Sequence, residues 1–572
     1  MTASVFFRIL LVSDIFWVSQ MGHVHGEPQV KATEGIFDYV IVGGGSAGCV
    51  LANRLSADPG VTVCLLEAGP ADTNWAIHIP AGMLWLMRSK VLNWQFHTEP
   101  EPALARRRLF WPRGRTLGGS SSINAMCYTR GHPRDYDAWE AEGNRGWAFR
   151  DVLPYFKRSE DQARGPSAFH GVGGPLHVSD FEAPTALTQT FIEAGQQAGF
   201  PHCTDFNGAD LEGVGLFQTT QKRGLRWSTA KGYLSPARAR PNLKIVTNAH
   251  AQRVVFEGLR ACGVVAQREG GIPSYFAARR EVILSAGAVQ SPQLLMLSGV
   301  GPGSHLAHHG LRPIVDLPGV GQNLQDHLDV MVVHQGRRAR STGLTPLTLL
   351  KGPWELARLA LQGAGMLTSN GAEGNAFIKS SPEEPVPDLQ LHFMPARLRD
   401  HGRDLRYLAG QGFSMHVCFL RPKSRGHISL ASADPMAAPA IHANYLSHPE
   451  DLRKMILGIR QVRRIFAASA FDLDRGDELM PGKQAQSDAE LEAFIRSHAE
   501  TIYHPVGTCR MGPGDNPMSV VDHELRVHGT QGLRVVDASI MPTLVGGNTN
   551  APTVMIAEKA SDMLLRSGSS LA

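Results

Sequence analysis

The chain has 572 residues, with 56 Lys and Arg against 52 Asp and Glu, a net charge of +4 spread along its length. No basic block forms the cationic stripe that a nucleic-acid backbone requires, so nucleic acid is excluded as a partner. Only 19% of residues are charged, while 60 glycines and 36 prolines accompany 43% hydrophobic residues, the composition of a turn-rich globule and not of a disordered chain.

At about 150 residues per domain, length alone suggests three or four units. The seven cysteines, Cys49, Cys64, Cys127, Cys203, Cys262, Cys418 and Cys509, are odd in number and contain no CxxC pair. They read as small buried apolar residues in a reducing compartment, not as a disulfide framework or a metal site.

Residues 1–37 form a leader, disordered or a weak targeting segment, in which the apolar patches Ile9–Val12 and Ile15–Val18 are too short and broken to span a bilayer. No other window offers 18 uncharged apolar residues, so no transmembrane helix is expected. Asp38–Val42 reads as a buried strand running into Gly43-Gly-Gly-Ser-Ala-Gly48 and an apolar helix through Leu55. In this GxGxxG arrangement Gly43 permits the tight turn, Gly45 lets a pyrophosphate approach beside Ser46, and Gly48 packs the helix on the strand. A second strand, Val61–Leu66, ends at Glu67, nineteen residues after Gly48, where a carboxylate takes ribose hydroxyls. This unit alone does not separate NAD from FAD.

Further along, residues 114–137 begin Gly-Arg-Thr-Leu-Gly-Gly-Ser-Ser-Ser-Ile-Asn, and residues 287–301 read Gly-Ala-Val-Gln-Ser-Pro-Gln-Leu-Leu-Met-Leu-Ser-Gly-Val-Gly. Then come Tyr503-His-Pro-Val-Gly-Thr-Cys-Arg-Met-Gly512, Arg534-Val-Val-Asp-Ala-Ser-Ile-Met-Pro542 and Gly547-Asn-Thr-Asn-Ala-Pro552. In this order they closely resemble the signature segments of the glucose-methanol-choline (GMC) flavoprotein oxidoreductases, from about Phe37 to the C-terminal region. Taken alone, the 118–124 stretch is an ordinary Gly/Ser loop. Beside the other motifs, Gly118 and Gly119 let backbone lie against a flat ligand, and Ser120 and Asn124 supply polar atoms.

The resemblance implies bound FAD and alcohol oxidation, with His504 as general base and Asn548 as donor to the alkoxide oxygen. Histidine suits the first role because its pKa, about 6.5 when unperturbed, lies near working pH. The resemblance also sets Asp537 and Ala538 against the flavin pyrophosphate or ribityl chain and makes Val254 the backbone contact to adenine. Some members bond FAD through a histidine just before the first signature's asparagine; here that residue is Ile123, so FAD is expected to be noncovalent.

The fold class expected is α/β, a Rossmann-like FAD-binding domain with an interleaved substrate domain on an antiparallel sheet. Its parts are residues 38–330, then a substrate unit 331–500, then a C-terminal return 501–566 carrying the catalytic pair. Within the substrate unit Asp388–Phe393, Phe413–Leu420 and His427–Leu430 read as strands with one face covered, backed by a helix over Asp451–Phe466. The function expected is oxidation of a primary alcohol, with electrons passed to a quinone or other acceptor. Alternatives are a choline dehydrogenase, an oxygen-using alcohol oxidase and, more remotely, a flavin-dependent lyase or photodecarboxylase. A choline site needs a carboxylate and aromatic walls; Glu373 offers the charge, but Gly371-Ala372 precede it, and it reads equally as a structural acid. The expected location is the cytoplasm, with peripheral membrane contact for a quinone-linked enzyme.

Overall fold

A computed structural model describes residues 31–181, 184–268, 270–343 and 350–569. The first strand, β1 (Lys31–Val42), precedes α1 (Ser46–Leu55) and β2 (Val63–Leu66). β1 starts earlier than the expected Asp38, because the long partner strand Ser274–Leu284 supplies pairing from Lys31 onward. Residues 31–37 are therefore sheet and not leader; residues 1–30 lie outside the described residues. Cys49 to Leu55 are buried almost without interruption, so α1 is a core helix and not an amphipathic one.

The first sheet runs Leu243–Val246, β2, β1, Ser274–Leu284, Arg260–Arg268, Ala249–Glu257. Its first four strands are parallel, and Leu533–Val535 adds in parallel to Ser274–Leu284 at Val282 to Leu284. The C-terminal segment thus completes a sheet begun some 500 residues earlier. The last two strands are antiparallel.

The second sheet is antiparallel, in the order Arg475–Met480, Leu328–Gly336, Gly412–Phe419, Leu389–Met394, Gly374–Ile378, Gly213–Leu216. The expected strand at His427 pairs instead with Ala440–His442 in a separate ribbon. Phe413, Met415, Val417, Leu389, Leu391 and Phe393 form an apolar face covered by the helix Pro449–Phe466, which buries Met455, Ile459, Val462 and Phe466 at helical spacing. The opposite face carries Gln390, His392, Ser414, His416 and Asp329, and it too is buried. One covered face was the expectation; the polar alternation instead marks a surface turned toward the interior cavity described below.

Among the described residues, no helix is long and apolar enough to cross a membrane. All seven cysteines are free, and all but Cys262 are buried.

A Cβ on Gly48 would lie 1.9 Å from the carbonyl oxygen of Gly43, a backbone atom with no side-chain freedom to yield. Gly48→Ala is therefore expected to lower stability by about 1–3 kcal/mol, measured by denaturant unfolding. Gly352→Ala, at a helix start where a Cβ meets nothing within 4 Å, is the control and is expected not to lower the midpoint.

Candidate active site

Between the two sheets lies a cavity of about 320 Å³. Eleven of the fourteen residues singled out from sequence line it: Gly43, Gly45, Ser46, Glu67, Gly119, Ser120, Asn124, His504, Asp537, Ala538 and Asn548. At one end the first turns of three helices converge, through Ser46 of α1, Gly287 of Gly287–Leu297 and Asn550 of Asn550–Ser569. Gly45, the N-cap of α1, supplies no side-chain cap, so the free N–H groups of the first turn are available to an anion. Ser46 Oγ donates to Asn550 Oδ1 at 2.8 Å and ties two of these termini together.

Gly118 does not line the cavity. Its N–H donates to the carbonyl of Gly44 at 2.7 Å, which docks the second loop on the first. A Cβ on Gly119, at φ +51°, would meet Gly45 Cα at 2.7 Å, so the loops approach as closely as backbone permits. Ser120 Oγ accepts from Gly114 N at 3.2 Å. Asn124 Oδ1 accepts from Met126 N and from the buried guanidinium of Arg226 at 2.9 Å, so its amide enters the cavity wall as a donor.

Two carboxylates anchor the floor. Glu67 accepts N–H bonds from Gly44 and Gly69, both at 2.8 Å; burial nevertheless pushes its carboxyl up to about 7. Asp537 accepts from Gly287 N at 2.8 Å, Ser291 Oγ at 2.6 Å and Ser539 N at 2.8 Å, so it caps the Gly287–Leu297 helix from the turn after the strand Leu533–Val535 while burial raises its pKa. Ala538, next in sequence, lines the cavity.

His504 is held by an unusual backbone. Tyr503 adopts φ +70°, and its carbonyl accepts from the half-buried Arg113 at 2.6 Å while its N–H donates to Thr501 Oγ1 at 2.8 Å. Left-handed conformation in a non-glycine residue persists only where the surroundings hold it. The N–H of His504 donates to Asp326 at 2.7 Å, and Asp326 also accepts from the hydroxyls of Thr501 and Tyr445.

The tautomer of His504 follows from its contacts. A carbonyl only accepts, so His327 Nε2, 3.1 Å from the carbonyl oxygen of Leu420, carries its proton there. Burial lowers the His327 pKa to about 3, so the ring is neutral and its Nδ1 is an acceptor. His504 Nδ1, 3.0 Å away, must be the donor, which leaves the lone pair of His504 on Nε2. That atom lies 3.2 Å from Asn548 Nδ2. Asn548 Oδ1 in turn accepts from Thr129 Oγ1 at 3.2 Å and Gln390 Nε2 at 3.3 Å, and its backbone N–H donates to Thr129 Oγ1 at 2.8 Å. Burial, with His327, His392 and Arg113 nearby, holds the His504 pKa well below 6.5, so it is an unprotonated base.

Val254 lies off the cavity. Its side chain is in the core and its N–H donates to Ser298 Oγ at 2.8 Å, so that backbone donor is already used; Ala249, His250 and Ala251 of the same strand line the cavity instead. Gly48 is likewise absent from the wall and serves helix packing. Glu373 is buried away from the cavity, accepting from Thr185 N at 2.8 Å and Thr188 Oγ1 at 2.7 Å at the start of the helix Ala186–Gln197. Sequence reasoning missed His327, Thr129, Gln390 and the trio Asp329, His401 and His416, of which His401 is half-buried. The signal for Gln390 and His416 was present, as polar residues at alternate positions of two otherwise apolar strands. His327 sits in no such pattern.

The GMC oxidoreductase family models match residues 37–329 and 422–557. An alcohol dehydrogenase (acceptor) of Pseudomonas putida is 52% identical over 93% of this chain and 96% of its own length. An oxygen-dependent choline dehydrogenase of Sinorhizobium fredii is 46% identical over 92% of this chain and 95% of its own. Among solved structures, pyridoxine 4-oxidase from Mesorbium loti superposes with a TM-score of 0.84 at 32% identity, covering 93% of this chain and 99% of that one. With the two nearly full-length sequence matches and both family models in register, the chain belongs to the GMC oxidoreductase family and is an FAD-dependent alcohol oxidoreductase.

Proposed function

We propose that the protein oxidises a primary alcohol to an aldehyde at His504 and Asn548, with noncovalent FAD and with a quinone or similar carrier as electron acceptor. The observation carrying this reading is the Nε2 lone pair of a neutral His504 set 3.2 Å from an amide donor inside the cavity.

The residues present fit FAD. The uncapped start of α1 suits the pyrophosphate, Glu67 retains lone pairs for ribose hydroxyls, and the Gly45–Gly119 approach leaves no Cβ between the loops and a flat ring. Ile123 is a hydrocarbon packed with Ala76, Ile77 and Leu86, and carbon offers no atom for a covalent flavin bond there. When bound, FAD supplies the hydride acceptor.

The protein supplies the rest. The substrate hydroxyl donates to His504 Nε2 and accepts from Asn548 Nδ2, so proton removal and stabilisation of the developing alkoxide act on one oxygen. Asn548 cannot turn its amide round without placing its oxygen against a lone pair and losing Thr129 and Gln390. Residues His392, Met394 and Leu398 wall the side away from the helix termini, giving a largely apolar bed. Glu373, spent on a helix N-terminus, offers no counter-ion to a quaternary ammonium, which favours an uncharged alcohol over choline. A quinone acceptor dissolves in a bilayer, so peripheral membrane contact belongs to this reading.

Anaerobic addition of a primary alcohol is expected to bleach the flavin, and failure with every alcohol tried would remove the proposal. His504→Ala is expected to slow bleaching by about 10²–10⁴-fold, with bound flavin retained. His327→Leu frees the wrong His504 tautomer and is expected to lower kcat by about 10²-fold or more. Because the His504 pKa is depressed, its base form is present above that pKa and is lost as pH falls through it. The acid limb of kcat/KM is therefore expected well below pH 6.5, read from a pH–rate profile. Glu373→Gln is expected to lower the melting temperature through the weakened helix cap without changing the preference between choline and an uncharged alcohol, as measured by comparing kcat/KM for the two.

A further inference from the structure

Among the described residues, the three exposed tryptophans, Trp75, Trp85 and Trp354, occur in one neighbourhood. The rings of Trp75 and Trp85 are 6.4 Å apart. The turn Pro80–Gly82 between them packs on the turn Met366–Thr368, which packs on the helix Gly352–Gln362 bearing Trp354. That helix buries only Glu355 and Leu359; Trp354 and Leu361, spaced to share one face, are 63% and 85% exposed, Leu350 just before the helix is 80% exposed, and Glu355 accepts from Met366 N at 2.8 Å. A third segment joins them: Arg88 donates to the carbonyls of Gly402 at 3.0 Å and Arg403 at 2.9 Å, beside the exposed Leu405.

Charge follows the same surface. Residues 75–91, 350–362 and 397–408 together carry a net charge of +5, more than the +4 of the whole chain. Arg403 is the member answered from behind, by Glu500. The same segments wall the cavity from inside through Met83, Met87 and Leu398.

We propose that this face docks the enzyme on an anionic phospholipid bilayer, tryptophans and leucines entering the interface, basic side chains meeting headgroups, and the cavity wall of Met83, Met87 and Leu398 turned to the lipid. Exposed Trp and Leu with surrounding cations are the chemistry of an interfacial anchor, and a cationic rim selects an anionic lipid surface over an uncharged partner. The proposal rests on the quinone-linked reading above for its purpose, and on the surface alone for its binding.

The test is sedimentation of the flavin-loaded enzyme with vesicles of phosphatidylglycerol mixed into phosphatidylcholine, against phosphatidylcholine alone. Binding is expected to the first, weakened by salt. Trp354→Ser with Leu361→Ser, and separately Lys90→Glu with Lys351→Glu, are each expected to weaken it by about tenfold or more. Alcohol-dependent reduction of a soluble dye by both variants should match wild type, which establishes that they are folded. A wild-type enzyme inactive with alcohol and dye yet bound to vesicles would sink the catalytic reading and leave this one standing. Wild type left in the supernatant, or both variants sedimenting like wild type, would overturn the proposal. So would a dimer in sedimentation equilibrium that Trp354→Ser with Leu361→Ser abolishes, since it would assign the face to a second copy of the chain.

Discussion

The carbonyl of Leu420 can only accept a hydrogen bond, and the direction of each hydrogen bond from His327 through His504 to Asn548 follows from that. It fixes the proton of His327 on Nε2, hence that of His504 on Nδ1, and hence the free lone pair on the atom facing Asn548. The amide of Asn548 is then oriented from both sides. Leu420 ends the strand Gly412–Phe419, whose outer face packs on the helix Pro449–Phe466. The core of the second sheet thereby holds the two imidazoles in register: large apolar side chains fix the strand, and the strand fixes the rings. Burial does the second part, because two imidazoles meeting edge-on in a dry site remain neutral where free histidine would be partly protonated.

The two sheets divide the work by their polarity. In the first, the central parallel segments Tyr39–Val42, Val63–Leu66 and Val282–Leu284 are apolar on both faces, and the cavity wall on this side comes mostly from the loops and helix starts at their ends, with Ala249, His250 and Ala251 added from an edge strand. In the second, alternation places hydrocarbon on one face and Gln390, His392 and His416 on the other. A buried polar face is costly unless its groups are bonded or serve a ligand, and here it roofs the cavity.

Much of this was legible in the sequence. The GxGxxG turn and Glu67 carry their meaning in local residue types and spacing, the Gly118–Asn124 loop, Asp537 and the pair His504 and Asn548 draw theirs from the family resemblance, and the structure brings nearly all of them to one cavity. The family belonging expected from those motifs is shown, as is the α/β fold. What local pattern misjudged are residues whose role depends on a distant partner. Val254 looks like any strand residue until Ser298 claims its N–H; Glu373, which reads equally as a structural acid in the sequence, is one, claimed by Thr185 and Thr188. His327 was invisible for the same reason, since its value lies in an atom 177 positions away. The covering of the second sheet on both faces was misjudged because a polar residue on a strand looks the same whether it meets water or a cavity.

The hydrogen bond from Ser46 to Asn550 closes a span of 504 residues, and the strand Leu533–Val535 completes a sheet whose first strand begins at Lys31. During synthesis at about 5–20 residues per second, the glycine-rich turn leaves the ribosome roughly half a minute or more before its closing helix. In that interval the edge of Ser274–Leu284 at Val282 to Leu284 is unpaired, an apolar template for other chains. Interleaving therefore makes the strand Leu533–Val535 and the helix Asn550–Ser569 the last pieces that the first sheet and its helix termini receive.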